Sequence, residues 1–167
     1  MTPKRPVGAG AVPEKVESPA LTRPDAPPLY AALDLGTNSC RMLIARPVGS
    51  QFVVVDSFSK SVQLGAGLEK SGRLQRSAIH RTLQALRVCQ HKMKRQSVRR
   101  MRLVATEACR RAVNGRAFME RVRRETGLTL EIIQPQQEAQ LAVVSCAPLV
   151  SSKTEQLLVV DIGGGST

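Results

Sequence analysis

Aromatic side chains are almost absent from this chain. They make up 2% of its 167 residues, with no tryptophan and a single tyrosine. Because proteins that bind single-stranded nucleic acid stack bases on aromatic rings, this scarcity argues against a binding module of that class. Hydrophobic residues still amount to 42%, so the chain can bury the core of one domain built from aliphatic side chains.

Long apolar runs are missing as well. No stretch approaches the roughly 20 residues that a membrane-spanning helix requires. The first 28 residues are rich in proline and charge and lack the apolar stretch of a secretory signal, so we expect a disordered tail and a cytoplasmic protein. The cysteines form no Cys-x-x-Cys pair, which argues against a zinc site and indicates reduced thiols at Cys40, Cys89, Cys109 and Cys146.

Acidic residues are scarce in the middle of the chain. Residues 73–124 contain sixteen Lys and Arg but only Glu107 and Glu120 as acids, and the whole chain has a formal charge of +12. A concentrated positive field attracts polyanions, and polyphosphate, a highly phosphorylated nucleotide and nucleic acid all fit it. Charge runs also occur on solvated helix faces, so this stretch leaves both a binding function and a surface role open.

Apolar segments of strand-like pattern recur along the rest of the chain. They predict strands at 29–34, 40–47, 52–57, 98–105, 128–133 and 156–162. Short links join the first three, which favours antiparallel pairing, whereas helical segments separate the later ones. This order predicts an α/β protein with a mixed sheet and helices packed against it.

The helical segments follow a period of 3.6 residues. The longest is predicted to run from a Ser77 cap to about Gln96, with an apolar stripe of Ile79, Leu83, Leu86 and Met93. Shorter helices are predicted at 107–113, in the segment that ends at Gly127, and at 136–146 with Pro135 in the first turn.

Two glycine-rich turns each follow a predicted strand at an Asp. The first begins at Asp34, and the second begins at Asp161, 127 residues later. Such turns can direct backbone N–H groups into one concavity that suits phosphate oxygens, and the Asp can hold a hydrated divalent cation. Together they predict a phosphate group held from both sides.

Three segments resemble the Ppx/GppA phosphatases, a family of exopolyphosphatases and guanosine pentaphosphate phosphohydrolases. The segments are residues 32–42, 104–115 and 161–167, and the resemblance extends from Tyr30 to Thr167. It implies a ribonuclease-H-like domain of the actin, sugar-kinase and heat-shock chaperone superfamily, with a mixed five-stranded sheet. It also implies that residues 29–167 are the first of two domains, cut at the second phosphate loop, and that the second domain is missing.

The resemblance implies roles for individual residues. Asp34 and Asp161 resemble the metal-associated aspartates, which implies Mg²⁺ or another divalent cation. Glu138 resembles the catalytic glutamate that activates the attacking water, and Arg110 resembles the arginine directed at substrate phosphate. Further phosphate contacts are expected from Gly36, Thr37, Asn38, Ser39, Arg41, Gly163, Gly164, Gly165 and Ser166.

Three positions leave alternatives open. Gln137 stands where the family commonly has a second acidic residue, so it removes one charge beside Glu138. Arg41 either reaches phosphate or points outward, depending on the alternation of its strand. Arg111, unlike its neighbour Arg110, is expected to face solvent.

The expected function is hydrolysis of a terminal phosphoanhydride by metal-assisted attack of water. Inorganic polyphosphate is the favoured substrate because of the long basic region, and guanosine pentaphosphate is the alternative. The competing classes are an ATP-dependent sugar kinase or actin-like ATPase, and a polyanion or nucleic-acid binding module without catalysis. We expect little turnover by the 167-residue chain alone, no membrane partner, and a homodimer among the states of a full-length protein.

Overall fold

A five-stranded mixed sheet forms the centre of the computed structural model, which describes residues 27–146, 150 and 156–164. The strands are β1 (Tyr30–Leu35), β2 (Ser39–Val48), β3 (Gln51–Ser61), β4 (Arg100–Ala105) and β5 (Glu131–Ile132). They lie in the order β3-β2-β1-β4-β5. The first three pair antiparallel, whereas β4 is parallel to β1 and β5 is parallel to β4. The predicted mixed α/β sheet is therefore confirmed.

Five helices accompany the sheet. They are α1 (Leu68–Ser71), α2 (Arg76–Arg95), α3 (Glu107–Arg111), α4 (Gly115–Thr126) and α5 (Pro135–Cys146). All four residues of the predicted apolar stripe on α2 are buried, and α2 packs against β2 and α4. Gly127 ends α4 in the left-handed conformation at φ 72°, as predicted. No described helix combines the length and apolar character that crossing a membrane requires.

The side chains of β1 alternate between the two faces of the sheet. Ala31, Leu33 and Leu35 point into the core, whereas Tyr30, Ala32 and Asp34 are exposed on the other face. This alternation follows from the two-residue period of a strand. It places the Asp34 carboxyl at the end of β1, on the face opposite the hydrophobic core.

Several basic side chains of the 73–124 stretch have partners within the fold. Lys92 Nζ lies 2.8 Å from the Asp56 carboxylate and thereby joins α2 to β3. Arg87 lies 2.6 Å from Glu125 and joins α2 to α4. Part of this positive charge therefore supports the packing of helices rather than forming a free cationic surface.

Two strand predictions are corrected. Residues 156–162 form no strand, and their apolar side chains Leu158 and Ile162 are exposed. An apolar run supplies the side chains of a strand, but a strand also needs a hydrogen-bonded neighbour, and none of the five described strands pairs with this segment. The strand predicted at 128–133 is limited to β5. Only Glu131 and Ile132 of this segment pair with residues of β4.

The predicted start of α2 is also wrong. The helix begins at Arg76 after the extended residue Gln75, so Ser77 lies inside the first turn. The preceding Leu74 is held by the Asn114 side chain, which accepts its N–H at 2.8 Å and donates to its carbonyl at 3.1 Å. This long-range contact fixes where the chain enters the helix.

Helix boundaries elsewhere differ less. The helix predicted at 107–113 ends at Arg111, the short helix α1 has no counterpart among the predictions, and α5 begins at the predicted Pro135. Residues 1–26 of the expected tail lie outside the described residues.

Candidate active site

The first glycine loop joins β1 to β2 and is held by the segment that follows β3. The Asn38 carbonyl accepts the N–H groups of Val62 at 2.8 Å and Gln63 at 2.9 Å, and the Thr37 carbonyl accepts that of Gly65 at 2.9 Å. A β-carbon at Gly65 would overlap the end of the Thr37 side chain, so glycine lets the two segments approach without moving that side chain. The loop therefore has a fixed backbone with its own supporting segment.

The second glycine loop lies against the first. Gly164 lies against the side-chain amide of Asn38, and both Gly163 and Gly164 are exposed. Within the first loop, the Gly36 N–H donates to the Ser39 carbonyl at 2.9 Å. The structure thus brings the two predicted loops together, while Gly165 and Ser166 lie outside the described residues.

A cleft of about 430 Å³ lies beside the loops and contains the predicted carboxylates. Asp34 from the end of β1, Glu138 from the first turn of α5, and Asp161 all line it. The rest of the lining is mainly uncharged and includes Thr106 and Ile133. Three acids separated widely in the sequence therefore face one space.

The surroundings of the cleft change the pKa of Asp34. Its carboxyl is reached by solvent, yet surrounding atoms remove part of its hydration, and this burial is the main cause that raises its pKa. Repulsion by Glu138 and Asp161 raises the pKa further, whereas Arg41 opposes the shift. Arg41 pairs with Asp34 across β1 and β2, so strand alternation places the Arg41 side chain on the exposed face that carries Asp34.

Arg110 contacts Glu138, which lines the cleft, and itself lines a separate cavity of about 390 Å³. Its Nε donates to Glu107 Oε2 at 3.1 Å and its Nη2 donates to the same oxygen, while Nη2 also lies 3.3 Å from Glu138 Oε2. Its Nη1 donates to the Ile133 carbonyl. Only 14% of the Arg110 side chain is exposed, so this guanidinium is positioned rather than free in solvent.

A second cavity of about 530 Å³ lies on another side of the first loop. It is lined by Thr37 and Asn38, by Gly164, and by the charged residues Glu69, Lys70, Glu107 and Arg111. Arg111 was expected to face solvent. Its side chain is 50% exposed, but it also lines this cavity, with Nε 3.6 Å from Glu107 Oε1.

Sequence reasoning missed Glu107 and Lys70 as residues of the site. Glu107 lies three and four positions before Arg110 and Arg111, a spacing that brings side chains together on a helix, so this signal was available. Lys70 lies on the four-residue helix α1, and no feature of the sequence pattern indicates its place beside the loop.

The carboxylates of the cleft are the groups that a magnesium ion would contact. Among the described residues, no group of three or more His, Cys, Asp or Glu side chains is arranged around a common metal position. Mg²⁺ commonly binds through one or two carboxylates together with water and substrate phosphates, however. Asp34 and Asp161 line the same cleft, as that mode requires.

The sheet order and the paired loops define the class of the domain. A mixed β3-β2-β1-β4-β5 sheet with flanking helices is the ribonuclease-H-like fold of the actin-like superfamily, as the sequence resemblance implied. The first loop follows the first strand of this fold, and the second approaches from residues 161–164.

Comparison with known proteins agrees with this class. The Ppx/GppA phosphatase family matches residues 43–167. A family member from Aquifex aeolicus is 36% identical, with a TM-score of 0.69 over 72% of this chain and 39% of its own. An exopolyphosphatase-like protein is 28% identical, with a TM-score of 0.67 over 77% of this chain and 38% of its own.

A third solved structure, an exopolyphosphatase from Cytophaga hutchinsonii, shares the fold. It is 24% identical, with a TM-score of 0.66 over 69% of this chain and 37% of its own. The chain therefore belongs to the Ppx/GppA phosphatase family. It spans between 37% and 39% of the length of these three solved relatives.

Proposed function

We propose that this chain contributes the phosphate loops and the water-activating base of a phosphohydrolase that removes terminal phosphate from inorganic polyphosphate. The observation that carries the proposal is the arrangement around the 430 Å³ cleft, where Asp34, Asp161 and the Glu138–Arg110 pair meet beside two glycine loops. Hydrolysis of a phosphoanhydride needs a positioned base and neutralisation of phosphate charge, and both kinds of group are present.

Glu138 is the base in this proposal. Its carboxylate lies at the cleft, and contact with Arg110 through Oε2 fixes its orientation. The other oxygen, Oε1, would accept the proton of a water that attacks the terminal phosphorus. Arg110, held beside Glu138, would place its positive charge next to a phosphate group bound there.

Asp34 and Asp161 would hold the divalent cation. When bound, Mg²⁺ would supply positive charge to the phosphate oxygens and relieve the repulsion between these two carboxylates. The backbone of the two loops and the side chains of Thr37 and Asn38 would orient the phosphate group, with Ser39 and Arg41 at the start of β2 beside them.

Guanosine pentaphosphate is the alternative substrate. It comes second because no residue that lines either cavity is an aromatic ring that would stack on its base. A nucleic-acid module without catalysis is less well supported. Arg87 and Lys92 of the basic stretch pair with Glu125 and Asp56, which offsets part of the positive charge available to a polyanion.

The function can be tested in a hybrid protein, since the chain covers only part of its relatives. Residues 27–164 would replace the matching part of the Aquifex aeolicus family member, and release of phosphate would be measured from polyphosphate, guanosine pentaphosphate and ATP. We expect hydrolysis of polyphosphate, and a loss of at least about a hundredfold in kcat with Glu138→Gln. Glu120→Gln, an exposed position on α4, is the matched control.

Two outcomes would contradict the proposal. One is a folded hybrid whose hydrolysis is unchanged by Glu138→Gln, and the other is an inactive folded hybrid when the unaltered relative is active. The 167-residue chain should be assayed in parallel, where we expect little turnover. Preference for guanosine pentaphosphate over polyphosphate would support the alternative substrate.

A further inference from the structure

The second cavity and the cleft that holds Glu138 are lined by neighbouring parts of the chain around the first loop, although no residue lines both. Thr37 and Asn38 of the first loop border this 530 Å³ space, whereas Asp34, which precedes the same loop, lines the 430 Å³ cleft. A phosphate group held at the first loop therefore lies between two spaces. The proposed hydrolysis uses the cleft with Glu138 and leaves the second cavity without a role.

The two arginines of the five-residue helix α3 lie on different sides of it. Successive residues of an α-helix are rotated by about 100°, so neighbouring side chains point in different directions. Arg110 contacts Glu138, which lines the 430 Å³ cleft, and Arg111 lines the 530 Å³ cavity. Glu107 contacts both arginines, because it lies three residues before one and four before the other.

Arg111 retains capacity to bind an anion. Glu107 Oε2 accepts two donors of Arg110, whereas Arg111 reaches only Oε1, at 3.6 Å and with half of its side chain exposed. A contact of this length in solvent contributes little energy, so a phosphate oxygen can replace or join it. Lys70 lines the same cavity and supplies a second cation.

The lining also limits what the cavity can select. Glu69 and Glu107 accompany the two cations, so the cavity does not attract anions by a net positive charge. Binding would depend on placed donors, above all on a guanidinium that can contact two oxygens of one phosphate group. Such a site favours a ligand with two linked phosphate groups, of which one binds at the first loop while the other reaches Arg111.

We propose that Arg111, assisted by Lys70, binds the phosphate group that follows the terminal one in a polyphosphate chain. The inference rests on the proposed function, because it takes the first loop as the position of the terminal phosphate. It makes Arg111 a residue that selects phosphate chains over single phosphate groups, while Arg110 serves the terminal group.

The test is titration calorimetry of the 167-residue chain with Mg²⁺ and either orthophosphate or tripolyphosphate. Arg111→Gln should weaken tripolyphosphate binding by about tenfold, as loss of a charge-assisted hydrogen bond implies, and orthophosphate binding by less than about twofold. Lys70→Gln should show the same preference with a smaller effect. Arg110→Gln should weaken both ligands, and Arg124→Gln, an exposed arginine of α4, should weaken neither.

Unfolding temperatures must match that of the unaltered chain, and Arg111→Lys replaces Arg111→Gln if the latter does not fold. The inference is overturned by unchanged tripolyphosphate affinity in Arg111→Gln, by equal losses for the two ligands, or by an equal loss in Arg124→Gln. Absence of any phosphate binding by the unaltered chain would overturn it too. The proposed hydrolysis fails separately, through a folded hybrid that is inactive or that keeps its activity with Glu138→Gln.

Discussion

Gly164 lies so close to the side-chain amide of Asn38 that no β-carbon fits between them. The contact joins segments 126 residues apart in the sequence and is the point at which the two glycine loops meet. A β-carbon at this exposed position would require the Asn38 amide to move. The Asn38 side chain is therefore part of the boundary between the loops.

Replacing Gly164 by Ala should displace the Asn38 amide and lower the affinity for orthophosphate in the presence of Mg²⁺ by about tenfold, as loss of one good polar contact implies. Stability should change little, because an exposed side chain can rotate away. Calorimetric titration and thermal unfolding would measure the two effects. In an Asn38→Ala background the same substitution should have almost no further effect, and additive losses would contradict this explanation.

The pKa of Asp34 should respond in opposite directions to two neighbouring substitutions. Asp161→Asn removes a repelling charge and should lower the pKa, whereas Arg41→Gln removes an attracting charge and should raise it. Titration of the carboxyl carbon by NMR without divalent cations would measure both. Glu69→Gln, at a residue outside the causes of this shift, should leave the value unchanged, and shifts of the same sign in the first two variants would contradict the assignment.

Because the pKa of Asp34 is raised, protons compete for this carboxylate at a higher pH than they would at an ordinary Asp. As the pH is lowered, the affinity of the chain for Mg²⁺ should therefore begin to fall at a higher pH than it would at a site with an ordinary Asp. Asp161→Asn is not a suitable variant for this measurement, since it removes a proposed ligand. Calorimetry at a series of pH values on the unaltered chain would suffice.

Asp56 should contribute to the acid sensitivity of the fold. Burial opposes its ionisation, but hydrogen bonds from Lys92 and the Ser57 N–H, with the charges of Lys92 and Arg95, keep its pKa below the ordinary value of 3.8. A lowered folded-state pKa means that the ionised carboxylate stabilises the fold above the unfolded value. This contribution disappears as the pH falls from the unfolded value through the folded-state pKa.

We therefore expect Asp56→Asn to lower the free energy of unfolding by roughly 1–2 kcal/mol at pH 7, since a charge-assisted hydrogen bond is lost. The difference from the unaltered chain should shrink below about pH 4, the usual range of an unfolded Asp. Urea unfolding at several pH values would measure it. A difference that stays constant down to pH 2 would show that the ion pair with Lys92 is not its source.

Gly115→Ala should destabilise the junction between α3 and α4. A β-carbon at this buried position would overlap the backbone carbonyl of Cys109, which cannot rotate away as a side chain can. We expect a loss of about 1–3 kcal/mol in the free energy of unfolding, as for other overpacked sites. Arg116→Ala, at the next and exposed position, should stay within about 0.5 kcal/mol. Equal effects in the two variants would contradict the steric reason.

The sequence was most informative where a local pattern and the core impose the same period. The stripe on α2 is buried as predicted, because a 3.6-residue period has one consistent solution against a sheet. The strands β1 to β3 were predicted to within a few residues for a similar reason, since short links favour neighbours in an antiparallel sheet.

Long-range contacts account for what the sequence did not predict. An apolar run cannot reveal whether a neighbouring strand is present, so the prediction at 156–162 was wrong. The start of α2 depends on Asn114, which lies 40 residues from Leu74. In the site, the sequence does not predict in which direction the Arg110 and Arg111 side chains point, because that depends on the position of the whole helix α3.

The first loop is fixed by its own framework in the chain without ligand. Three N–H groups of residues 62–65 hold the carbonyls of Thr37 and Asn38, so the backbone there is already ordered. Ordering one residue costs about 1–2 kcal/mol in conformational entropy. A phosphate that binds at this loop is therefore spared the cost of ordering the loop backbone, which favours its affinity.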